Sequence, residues 1–138
     1  PTATLLTPVF DGCAPILGPG RQRRSLIMGM REDVLVIRRL NDDLRQKGQD
    51  GRVLMTQGIQ ALPQEVIQKV IDAVKAFDDF TPDNDPHGEH DFGSVRIGEN
   101  AIFWKIDYYD RSMEAGSPDP ADPEVTTRVL TIMLASEY

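Results

Sequence analysis

The chain has 138 residues, of which 40% are apolar and 27% charged, with a formal net charge of −7. That is the size and balance of one soluble domain able to bury its own core. No apolar run approaches the ~20 residues of a membrane-spanning helix, and a lone Cys13 excludes an intrachain disulfide and a cysteine-built zinc site. No apolar stretch behind basic residues marks a secretory leader, so a reducing, cytoplasmic location is expected.

Residues 1–30 are expected to form a flexible N-terminal tail. Pro1, Pro8, Pro15 and Pro19, with Gly12, Gly18 and Gly20, interrupt every helical or strand period. Arg21, Arg23 and Arg24 against Asp11 make this segment +2. Arg21–Arg24 could touch nucleic acid, but no aromatic residue accompanies it and a flexible arm is the favoured reading; direct nucleic-acid binding is not expected elsewhere in the chain. Met28 and Met30 stand just ahead of the first periodic segment, so translation starting there is a further expectation, in which case residues 1–27 would not belong to the native protein.

Residues 31–138 are expected to be a single α+β domain. From Arg31 to Lys47, Val34, Ile37, Leu40 and Leu44 fall at helical spacing, with Arg38, Arg39, Asp42, Asp43 and Arg45 assigned to the solvent side. Gly48 and Gly51 end this helix. "RVLMT" at 52–56 reads as a short strand. A second helix opens at Pro63, carries Glu65 near its positive end, and sets Val66, Ile67, Val70, Ile71, Val74 and Phe77 in one stripe. "DDFTPDNDP" stops it.

Residues 91–97 and 101–109 alternate with period two around "GEN", as a hairpin does. Val95, Ile97, Ile102, Trp104 and Ile106 share one face. Phe92, Ser94, Arg96, Phe103, Lys105, Asp107 and Tyr109 share the other. After the loop "GSPDPADPE", Asp122 and Pro123 look like the cap and first turn of a third helix reaching Ser136, with Val125, Val129, Ile132 and Met133 along one side. The predicted order is α-β-α-β-β-α: a small antiparallel or mixed sheet of about three strands, with three helices mainly on one face. The second face would stay partly open.

Chemistry concentrates in "TPDNDPHGEHDFG" (81–93), which holds four carboxylates and both histidines of the chain. Asp83, Asp85 and Gly88 fit three positions of a calcium loop. His87 replaces an oxygen ligand, however, and Ser94 stands where the bidentate Glu belongs. Asp83, Asp85, His87, His90 and Asp91 are candidate ligands for a divalent transition metal. No other cofactor is expected, since no glycine-rich phosphate loop follows a strand. If the strands pair around Glu99–Asn100, Phe92 faces Asp107 and His90 approaches Tyr109. His90, Asp91, Lys105, Asp107 and Tyr109 are then the candidate catalytic set, with Asp107 orienting His90. The competing expectation is that His90 ties the loop to the sheet.

Residues 78–124 hold thirteen acids against Arg96, Lys105 and Arg111, a local charge of −10. Such a segment repels phosphates and attracts a basic protein surface. Phe92, Arg96, Phe103, Lys105, Asp107 and Tyr109 form the candidate interaction face, with the aromatic and arginine content of interface centres.

At "FDDFTPDNDPHGEHDFG", "FWKIDYYD" and "GSPDPADPEVTTRVLTIMLASEY", the chain resembles a bacterial family known as domain of unknown function 3768, over about residues 40–138. The resemblance implies a small cytosolic protein, often carried on mobile elements, with no agreed activity and no catalytic residues to transfer. The family pattern admits Tyr where this chain has His87, which shifts weight to His90 and Asp91. The leading expectation is a non-enzymatic protein-interaction module with a regulatory or anti-defence role, whose partner has a basic surface. The alternative is a metal-dependent hydrolase centred on the "GEHDFG" and "WKIDYYD" motifs. A structural subunit of a larger assembly is the third.

Overall fold

The computed structural model describes residues 28–138. The expectations for residues 1–27 of the N-terminal tail, including Cys13 and Arg21–Arg24, lie outside the described residues, whereas residues 28–30, also placed in that tail, belong to the first helix. Helix α1 spans Met28–Lys47. Strand β1 (Arg52–Met55), a single turn of helix α2 (Gln57–Gln60) and helix α3 (Gln64–Ala76) follow. Strands β2 (Phe92–Ile97), β3 (Asn100–Tyr109) and β4 (Thr127–Leu134) complete the fold, ahead of a 3-10 turn at Ala135–Glu137. No helix among the described residues is long and apolar enough to cross a membrane.

The architecture is α+β, as composition and pattern predict, but the sheet has four strands in the order β1-β4-β3-β2. β1 runs parallel to β4, and the other two pairings are antiparallel, so the sheet is mixed. The predicted C-terminal helix is β4, which lies between β1 and β3. Its side chains from Arg128 to Met133 are buried in succession, because a central strand is covered on both faces and loses its polar alternation. A continuous apolar run carries no period that separates strand from buried helix. The β-branched Thr127, Val129, Thr131 and Ile132 favour the extended form. Asp122 caps a turn instead of a helix: its Oδ1 accepts from the Glu124 N–H at 2.9 Å.

Ile37, Leu40 and Leu44 of α1, and Ile67, Val70 and Val74 of α3, are buried. Of these, Ile37, Leu44, Val70 and Val74 join Ile102, Trp104, Ile106 and Tyr108 of β3 and Leu130 and Ile132 of β4 in one core. α1 touches α3 and β4, while α3 touches β2. Gly48, at φ +70°, closes α1 by returning its N–H to the Leu44 carbonyl at 2.8 Å, the left-handed helix stop that glycine accommodates. Two α1 residues assigned to solvent or left unassigned are in the core: Asn41 is fully buried and Arg45 is 3% exposed. Arg45 Nη1 donates to the carbonyls of Val74, Lys75 and Phe77 at 2.9–3.2 Å. It thereby caps the end of α3 from another helix, satisfying carbonyls a helix end leaves unpaired.

The hairpin turns on Gly98 and Glu99, with Ile97 opposite Asn100 and Gly98 at φ +61°. Its face assignments hold, but its register differs by two residues from the predicted pairing. Phe92 stands opposite Lys105, not Asp107. A two-residue slip preserves faces and changes neighbours.

Candidate functional site

The loop between α3 and β2 is tied by its own polar residues. Thr81 N–H donates to Asn84 Oδ1 (2.8 Å), and Asn84 Nδ2 donates to the Asp79 carbonyl (2.9 Å). Asp85 Oδ1 accepts from the N–H groups of Glu89 and His90, at 3.0 and 3.1 Å. Gly88 and His90 both have positive φ, +70° and +57°. His90 is thus a non-glycine residue in the left-handed region, which persists only where surrounding contacts hold it.

Those contacts come from α1 and from Phe80. His90 Nδ1 lies 3.0 and 3.2 Å from the two Asp42 carboxylate oxygens. Its ring stacks on Phe80, centroids 3.7 Å apart and planes within 3°. Nε2 stands 3.9 Å from Asp85 Oδ2. Asp42 in turn accepts from Arg45 Nη2 at 2.9 Å, and the Arg45 guanidinium lies over the Phe80 and Trp104 rings. The carboxylate fixes the tautomer and orientation of the imidazole. The resulting chain is Arg45–Asp42–His90, with Phe80 beneath.

One residue earlier, the loop enters a buried network. Glu89 is 8% exposed. Tyr108 Oη donates to Glu89 Oε1 at 2.8 Å. Asn41 Nδ2 donates to Tyr108 Oη (2.8 Å) and to the Glu89 carbonyl (2.9 Å). Arg128 Nε donates to Asn41 Oδ1 at 2.8 Å, and Arg128 Nη2 reaches the Pro120 carbonyl. Arg38 Nε adds a bond to the Gly88 carbonyl at 2.7 Å. Burial pushes the Glu89 carboxyl up to about 7, against the opposing Tyr108 bond and with help from Asp91 and Asp85. Burial, reinforced by Asp85, pushes Asp91 up to about 6. The Tyr108 hydroxyl is raised well above its usual value, chiefly by burial and then by Glu89.

Against the loop and the N-terminal half of α1 lies an open concavity of about 420 Å³. Val34, Phe80, Pro82 and Pro86 give it apolar walls, and Arg38, Asp85, His87 and His90 are its charged or ionisable lining. Asp78, Asp79 and Asp83, adjacent in sequence to that lining, are exposed.

The predicted site residues divide between the two faces of the sheet. His90 lies on the helix side against Asp42, Asp85 and Phe80. Lys105, Asp107 and Tyr109 lie on the opposite face, where Lys105 Nζ meets Asp107 Oδ2 at 3.1 Å. The orienting carboxylate of His90 is Asp42, and the positive φ at His90 together with the hairpin register explains why it is not Asp107. Asp91 sits between the two groups: its carbonyl accepts from the Ile106 N–H at 2.9 Å, and Asp85 and Asp107 both raise its pKa. Burial likewise raises Asp107 to about 6, opposed by Lys105. Of the candidate interaction face, Arg96 is exposed, while Phe92, Phe103 and Tyr109 are half-buried and Lys105 and Asp107 buried. Phe92 and Phe103 pack edge to face at 5.3 Å, with Tyr138 against both.

Of the candidate metal ligands, Asp83 and His87 are exposed and Asp85 is buried on the loop's amides. Among the described residues, no three His, Cys, Asp or Glu side chains gather as they would around a metal ion. The residues that sequence reasoning missed are Phe80, Asn41, Asp42, Arg45, Tyr108 and Arg128. For Asn41 the signal was available: it lies one helical turn after Ile37 and three residues before Leu44, inside the apolar stripe.

Fold and site together define a small α+β domain with a mixed four-stranded sheet, in which one polar loop is bound to the first helix through a buried network. The family model described as "Protein of unknown function (DUF3768)" matches residues 55–137, and the chain belongs to that family. No curated protein and no solved structure matches the chain.

Proposed function

We propose that this chain is a protein-interaction module, and that it docks a basic segment with an apolar anchor in the concavity between α1 and the 80–91 loop. One observation carries this reading: the loop's chemical groups are used to hold the loop. Asp42 takes the His90 imidazole, two backbone amides take Asp85, and Tyr108 takes Glu89. What this leaves facing outward is a braced, shallow surface with Val34, Phe80, Pro82 and Pro86 along its walls. Exposed Asp78, Asp79 and Asp83 stand beside it. A braced apolar recess lowers the ordering cost of binding, and neighbouring like charges select a partner of opposite sign and speed its arrival.

The test is fluorescence anisotropy with a labelled peptide of alternating lysine, arginine and leucine. Binding is expected to weaken as salt rises from about 50 to 300 mM, since the screening length shortens over that range. The double variant D79N/D83N is expected to weaken it about tenfold, whereas D122N/E124Q, in the second acidic loop, leaves it within about twofold. Equal losses in the two double variants would refute this location for the surface.

A further inference from the structure

We infer that residues 85–91 form a proton-operated latch, fastened to α1 and the sheet while the Glu89 carboxyl is protonated and loosened when it ionises. Glu89 is met from every element packed on it. Tyr108 of β3 donates to its Oε1, Asn41 of α1 holds its carbonyl, and Arg128 of β4 supplies the nearby positive charge. On its own loop, Asp85 and Asp91 act on it as like charges, and His90 beside it is held by Asp42.

The bonding of Arg128 decides the matter. Its Nε is bonded to Asn41 Oδ1 and its Nη2 to the Pro120 carbonyl, so the guanidinium spends these donors on neutral partners. Ionising Glu89 therefore adds a negative charge beside two carboxylates where its own direct partner is a neutral hydroxyl, and the Arg128 charge, acting without a bond to Glu89, offsets this less than burial opposes it. A buried charge so placed is relieved by reaching water. The available route is to lift the loop off its ties: Arg38 on Gly88, Asn41 on Glu89, and Asp42 on His90. The positive φ of His90 favours release, because that conformation relaxes once the ties are broken. The raised Glu89 carboxyl, about 7 against an ordinary 4.5, agrees with this geometry.

The sign follows from linkage. The closed loop holds the proton more tightly than the open loop, so closure is strongest below about pH 4.5 and is lost as pH rises through about 7. The opening equilibrium should grow on the order of 200-fold between pH 4 and 8, levelling above 7. His87, Gly88 and His90 are part of the concavity, so its shape would vary with pH; any effect on partner binding rests on the reading above, but the latch itself does not.

The experiment uses the full chain without any partner. Carbon-13 NMR follows the Glu89 side-chain carboxyl from pH 4 to 9. Amide exchange at Glu89 and His90, corrected for intrinsic rates, reports opening. The latch predicts a carboxyl midpoint near 7 and amide protection that falls on the order of 200-fold between pH 4 and 8. In Glu89→Gln, protection in the pH 6 to 7 interval should change by less than about twofold, the remainder that Asp91 supplies, against the roughly fivefold that Glu89 supplies in the wild type. A midpoint near 4.5, or a midpoint near 7 with unchanged protection, would overturn the proposal, as would a Gln variant that keeps the wild-type slope. If that variant does not fold, the wild-type midpoint and protection decide alone. Loss of peptide binding plays no part in this test, so the two proposals fail separately.

Discussion

Replacing Asn41 with Ala should cost about 4 kcal/mol of stability, an unusual amount for deleting one small amide. Asn41 is fully buried and its side chain serves three partners: it donates to Tyr108 Oη and the Glu89 carbonyl, and it accepts from Arg128 Nε. Alanine leaves all three without that bond. Each buried polar group left unsatisfied costs roughly 1–3 kcal/mol, and more when it is charged. Part is recovered because Tyr108 still bonds Glu89 and Arg128 still bonds Pro120. Against a typical total of about 5–15 kcal/mol, this brings the domain close to unfolding. The assay is urea unfolding followed by the fluorescence of Trp104, the chain's single tryptophan. With a slope of about 1.5 kcal/mol/M, the midpoint should fall by roughly 2–3 M. Asp43→Ala, which removes a solvent-facing pair with Lys47 at 3.8 Å, should shift it by less than about 0.5 kcal/mol. A cost below about 1 kcal/mol for Asn41→Ala would mean that the network does not hold the loop, and the structural account of His90 would fall with it.

Three further outcomes are expected. Global stability should decline as pH rises through about 6 and 7, because burial raises Asp91 and Glu89 to those values in the folded state and the proton they retain is lost there; Glu89→Gln should remove up to about 3 kcal/mol of that dependence in thermal melts. His90→Ala should destabilise by about 2 kcal/mol through loss of the Asp42 bond and the Phe80 stack, whereas His90→Gly should recover about 1 kcal/mol of that because glycine accepts φ +57°; equal losses in denaturant unfolding would argue against strain at this position. Gly93→Ala should cost more than about 2 kcal/mol, since the added methyl would collide with the Trp104 indole across the β2–β3 pair, and a variant with wild-type stability would show that the indole can move aside.

How much of this was legible before the structure depends on the range over which each feature is encoded. α1, α3 and the existence of the hairpin were, because their apolar spacing, Gly48, Pro63 and the "GEN" turn signal act within a few residues of themselves, although the pairing expected around Glu99–Asn100 falls instead around Gly98–Glu99. β4 was not. Val125, Val129, Ile132 and Met133 satisfy a helical period by coincidence, and burial on both faces erases the alternation that would have marked a strand. The correct face of His90 was also hidden. It depends on the positive φ at His90, which breaks the period-two alternation just ahead of β2; the two-residue register change, which moves Phe92 from Asp107 to Lys105, alters cross-strand neighbours and leaves the face assignments of the hairpin intact. The buried network joins residues 41, 89, 108 and 128, which no local pattern relates. Its one local trace is a polar residue, Asn41, on the apolar side of α1.

The concavity between α1 and the 80–91 loop, braced through His90 and Glu89, is proposed to receive a basic partner segment. Backbone NMR of the full chain, titrated at pH 6 with the lysine–arginine–leucine peptide, tests that most directly. The expected result is a set of shift changes confined to residues 34–38 and 78–90, fading as salt is added. Changes centred instead on Phe92, Phe103 and Tyr138, on the opposite face of the sheet, would contradict it.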